Sequence, residues 1–166
     1  MKIYQINIVK TSIFVVVFYL LYLSSQYIRL APTIIPILTP ISILYLDKKY
    51  GFIFSVSYMF LLFISGFQIQ SLSIFFLFLL PLILFKNLKK FLVYAIIALI
   101  LSILNYYIIF EFFTELIPQF ILNNALLKIF GYIAYYVFLL AYPFLLNRLK
   151  MEIDNIINKY MGQKGD

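Results

Sequence analysis

The chain contains no cysteine and no histidine. Together these absences remove disulfides, thiol chemistry, the commonest transition-metal ligands and imidazole acid–base catalysis. Charge is also scarce: 11% of residues are charged against 65% hydrophobic, with a mean hydropathy of +1.04. Soluble domains carry about a quarter charged residues, so this balance excludes that class. It places the chain among all-α polytopic integral membrane proteins. A transmembrane β-barrel would alternate polar and apolar residues in segments of about ten, whereas the apolar runs here are continuous and long enough to span as helices. No glycine-rich phosphate loop, metal cluster or nucleophile paired with a base is present. The expectation is a protein that is not an enzyme and has no cofactor. The net charge of +7 comes from lysines at the ends of apolar runs, which marks topology and not a nucleic-acid partner.

The stretch Leu30 to Gly51, LAPTIIPILTPISILYLDKKYG, organises the rest. Pro32, Pro36 and Pro40 recur every fourth residue and share one side of a helix. Each proline withdraws a backbone donor and crowds the preceding turn. The carbonyls so freed need partners from other helices, hydroxyls or water. The segment is therefore expected inside a bundle, kinked, with its proline face on protein.

Six spans are expected: Thr11 to Ile28, Leu30 to Leu46, Tyr50 to Phe67, Ile69 to Phe85, Phe91 to Phe110 and Ala125 to Leu146. Leu23, Ser24 and Ser25 imitate a secretory cleavage site, but the apolar run before them is span length and a second run follows at once. Residues 1–146 are expected to form the six-helix transmembrane domain, and 147–166 a cytoplasmic amphipathic helical tail with mixed charge. With both termini cytoplasmic, all but Arg29 and Lys128 of the 13 lysines and arginines fall inside, a strong positive-inside asymmetry.

Between Glu111 and Asn124 the apolar residues take a helical period, with Glu111, Glu115 and Gln119 on the opposite side, as in a helix lying in the interface. Glu111 and Glu115 admit two readings, a cation- or proton-sharing pair or the solvated side of that helix. Lys128 either snorkels to the outer interface or finds Glu115, Asn123 or Asn124. Asn123 and Asn124 are placed to cap the last helix, and Asn105 to hydrogen-bond between helices. Tyr106, Tyr107, Tyr132, Tyr135, Tyr136 and Tyr142 suit bundle packing or interfacial belts. Pro32, Pro36, Pro40, Glu111, Glu115, Asn123, Asn124 and Lys128 are thus the candidate partner-binding residues.

The order of these features resembles the rod shape-determining protein MreD family. The resemblance rests on Leu23, Ser24, Ser25 and Gln26 closing the first helix, Ala31, Pro32 and Thr33 opening the second, and a basic turn into Gly51 and Phe52. The segment Ile117 to Leu127, with Pro118, Asn123 and Asn124, is similar to the family's late motif. Thr33 stands where the family often has an acidic residue, and Ser55, Gly66 and Gln68 stand where the family has a glycine-rich third helix ending in Asp. The resemblance implies a non-enzymatic inner-membrane scaffold of the cell-elongation machinery. Its implied partners are an MreC-like bitopic protein and, through it, MreB and the enzymes of sidewall peptidoglycan synthesis. The rival reading is the substrate-binding component of an energy-coupling-factor vitamin transporter, with a small vitamin-like ligand and an energising module as partners. Helix one, Phe14 to Leu20, lacks the alanine-spaced face such subunits use for docking.

Overall fold

The computed structural model describes residues 2–28, 34–88, 90–112 and 123–162, and every regular element among them is helical. Gln5–Ile28, Gln68–Asn87 and Ala125–Tyr160 are long and apolar enough to cross a membrane, and Ile34–Tyr45 and Phe91–Tyr107 are shorter apolar helical stretches. Two compact units are formed, one from Met1–Asn87 with Leu145–Asp166 and one from Leu88–Phe144.

The first unit opens with α1 (Lys2–Ile28), which lies along α4 (Lys48–Ile64). Asn7 donates to Asp47 at 2.7 Å, the rings of Phe18 and Phe54 meet edge-on at 6.2 Å, and Tyr22 meets Phe67 at 5.4 Å. Both partners advance along the chain, so α1 and α4 run parallel and the chain between them must return. The return is the proline segment. Instead of one helix it forms α2 (Ile34–Leu38) and α3 (Ile41–Tyr45), separated by a turn at Thr39 and Pro40. Pro36 and Pro40 each lack the N–H that would carry a helical ladder through this point. The Thr39 hydroxyl takes up local slack by donating to Ile35 O at 2.8 Å. Pro36 and Pro40 are buried, as expected of the proline face, and α3 packs on α4. Gly51 permits that approach, since a Cβ there would lie 3.0 Å from the Ile43 side chain.

Just past the end of α4 comes Gly66, whose φ of +88° suits a residue without a Cβ. Phe67 N–H reaches Leu62 O at 3.0 Å and Gly66 N–H reaches Phe63 O at 3.2 Å, which satisfies the last carbonyls in a Schellman arrangement. The next helix is α5 (Gln68–Ile74), a π-helical stretch Phe75–Leu79 and α6 (Leu80–Asn87). Pro81 explains the widened turn. Its ring would crowd the carbonyl four residues earlier, and the wider register just before it relieves that contact. Lys48 reaches the Asn87 carbonyl, so the start of α4 meets the end of α6 and the two run antiparallel.

The second unit pairs α7 (Phe91–Phe112) with the first part of α8 (Ala125–Gly162). Phe91 meets Phe144, Tyr94 bonds Leu139 and Ser102 bonds Tyr132, an antiparallel register. α8 is continuous through Asn147, so the tail, expected to be helical, follows the apolar run without a break. Nothing in Asn147 to Tyr160 breaks a helix, and Arg148–Glu152 (3.6 Å) and Lys150–Asp154 (2.6 Å) are favourable i,i+4 pairs that carry it onward.

Candidate functional site

A polar cluster lies where α3 stops, and it follows from the prolines. A five-residue helix leaves most of its carbonyls without intrahelical donors. Leu46 is already extended, with φ −105° and ψ 155°, and it and Ile43 are buried, so their carbonyls cannot turn to water. Lys86 of α6 donates to both, to Ile43 O at 2.6 Å and to Leu46 O. A cation at a helix C-terminus also opposes the partial negative charge there. Lys48 does the same for α6 through the Asn87 carbonyl at 3.4 Å. Asp47, at the N-cap position of α4, makes no side-chain capping bond, and its carboxylate accepts from Asn7.

The later part of α8, from Leu145, completes this end of the first unit. Lys150 lies 4.7 Å from the centre of the Tyr45 ring, a cation–π distance, while bonding Asp154 at 2.6 Å. Between the Lys86 and Lys150 side chains is a cavity of about 470 Å³ lined by Leu44, Phe85, Lys86, Asn147, Lys150 and Met151. The lining thus combines two lysines and an asparagine with Leu44, Phe85 and Met151. Such a lining supplies positive charge and hydrogen-bond donors. Among the described residues no group of three or more His, Cys, Asp or Glu is gathered that could hold a metal ion.

In the second unit several buried polar side chains join helix to helix. Asn105 donates to the Tyr135 hydroxyl at 2.8 Å, which is the interhelical role expected of it. Ser102 reaches the Tyr132 hydroxyl at 3.2 Å, and Tyr106 and Tyr132 meet edge-on at 6.0 Å. Tyr94 donates to the Leu139 carbonyl at 2.7 Å. That carbonyl is four residues before Pro143, so it is the one the proline leaves without a backbone donor. The tyrosine hydroxyl stands in for the missing N–H.

The candidate residues from sequence fall in different places. Pro36 and Pro40 are buried in the first unit, and Pro32 lies outside the described residues. Glu111 is within the last turn of α7, its side chain outside the description, and Glu115 lies outside it altogether, as does most of the expected interfacial helix. Asn123 is exposed in a turn, and Asn124 caps α8, its Oδ1 accepting from Leu126 N–H at 3.0 Å and Leu127 N–H at 3.4 Å. Lys128, half-buried one turn into α8, joins Asn124 through the backbone, its N–H on the Asn124 carbonyl at 3.1 Å. Lys86, Lys150 and Tyr94 were not singled out from sequence. The signal for a donor was there in the prolines, but the donors lie 40 and 45 residues from the carbonyls they serve. No protein-family model matches this chain, and neither a curated protein nor a solved structure does.

Proposed function

We propose that this protein is a non-enzymatic, multi-pass scaffold of the bacterial cytoplasmic membrane, with both termini inside, that serves the cell-elongation machinery by binding an MreC-like bitopic partner. The observation that carries the reading is how the polar side chains are used. Those of Lys86, Tyr94, Ser102 and Asn105 bond the chain's own carbonyls and hydroxyls across helices. A helical membrane protein whose polar groups are engaged in holding its helices acts on others through its surface. That surface is apolar along α1, where Ile13, Val16, Val17, Leu20 and Leu21 are exposed, as suits lipid or a partner's single span. The resemblance of the proline segment and of the Ile117 to Leu127 segment to MreD supplies the partner's identity.

Depletion in a rod-shaped cell tests the reading. Cells should round, and affinity purification of the tagged chain should recover an MreC-like protein. Normal shape with lost uptake of a vitamin would instead favour the energy-coupling-factor substrate component.

A further inference from the structure

We propose that the cavity at the end of the first unit is a binding site for the headgroup of an anionic phospholipid. The inference does not depend on the scaffold reading: it shares Lys86 with it but uses none of the candidate partner-binding residues.

Three observations converge. The lining joins two cations, Lys86 and Lys150, and the Asn147 amide to Leu44, Phe85 and Met151, a division that matches a molecule with a charged head and apolar chains. Its volume of about 470 Å³ accommodates a phosphate with its glycerol. Its level along the chain is also right. Lys86 is the penultimate residue of the span Gln68–Asn87, so its ammonium sits where hydrocarbon gives way to headgroups.

The charges around the cavity leave room for an anion. An ammonium has three donors. Lys86 spends two on the Ile43 and Leu46 carbonyls, which are neutral, so its charge is not cancelled there and one donor remains. Lys150 is shared with Asp154, which an incoming phosphate would compete with. Lys48 and Asp47 complete the electrostatic surroundings of Lys86. Phosphate oxygens accepting from Lys86, Lys150 and Asn147, with acyl chains passing over Leu44, Phe85 and Met151, would bind without any covalent change.

The test uses the full chain in a nonionic detergent, with lipid retention read by native mass spectrometry. Phosphatidylglycerol and phosphatidylcholine of identical acyl chains are titrated separately. Phosphatidylglycerol should bind about tenfold more tightly, and Lys150→Gln should weaken it about fivefold, the effect of one lysine at a lipid surface. Asp154→Asn, which releases Lys150, should tighten it two- to fivefold by the same reasoning. Lys86→Gln should also weaken it; should that variant melt early for want of its carbonyl clamp, Lys150→Gln and Asp154→Asn still decide the matter. Lys159→Gln, an exposed lysine of α8 outside the cavity, should change nothing. Equal retention of the two lipids overturns the proposal, as does a loss with Lys159→Gln as large as with Lys150→Gln. Displacement of phosphatidylglycerol by millimolar inorganic phosphate also overturns it, in favour of a soluble phosphate ligand.

Discussion

Asn105 carries an amide into the middle of an apolar helix, and its bond to the Tyr135 hydroxyl at 2.8 Å keeps that amide from facing hydrocarbon unsatisfied. Polar contacts of this kind contribute about 0.6 to 2 kcal/mol in membrane bundles. A double-mutant cycle with Asn105→Ala and Tyr135→Phe should give a coupling in that range, measured by unfolding in detergent; additive single effects would refute the contact's role. That Asn105 bonds another helix was legible in the sequence, because a lone amide amid Ile and Leu has few alternatives. Which of several tyrosines receives it was not, because the choice depends on the register of α7 against α8. Asn124 was legible for a local reason, since a cap acts within three residues of itself. Lys86 shows the opposite case. Counted along the chain it marks the end of a span, and only the fold turns it into a donor for two distant carbonyls.

At the scale of the element, prolines set the form of the helices and each is answered differently. At Pro40 the chain gives up one helix for two, α2 and α3, where a single kinked span from Leu30 to Leu46 was expected. At Pro81 the helix survives by widening over Phe75–Leu79. At Pro143 α8 continues and a side chain from α7 makes the missing bond, Tyr94 to Leu139. Tyr94→Phe should therefore cost about 1 to 2 kcal/mol by leaving a buried carbonyl unpaired. Adding Pro143→Ala restores a backbone N–H to Leu139 and should recover most of the loss, read as the midpoint of thermal unfolding in detergent. No recovery would mean that Tyr94 matters for packing alone. The burial of Pro36 and Pro40 followed from the chain's own pattern, whereas these three remedies did not, because each depends on a neighbouring turn or helix.

For the whole molecule, three helices of spanning length and character place the chain with a membrane. The expected count of six crossings rests on charge placement. Within the first unit, α4 runs parallel to α1 and antiparallel to α6, the directions that alternating passes require. The lack of cysteine makes direct mapping simple, since any thiol introduced is the only one. Lys49→Cys and Lys90→Cys should resist an impermeant maleimide in intact cells, and Gln70→Cys should label; labelling at position 49 would reverse the orientation, and labelling at 49 and 90 without 70 would invert the whole scheme. The Lys86 clamp adds a condition on synthesis. Ribosomes deliver this chain from its N-terminus, so the end of α3 emerges with Ile43 and Leu46 carbonyls that find their ammonium only 40 residues later, when Lys86 follows Leu46. Until then water and headgroups at the membrane surface must serve those carbonyls. This end of the first unit is thus completed late, first by Lys86 of α6 and then by the part of α8 from Leu145.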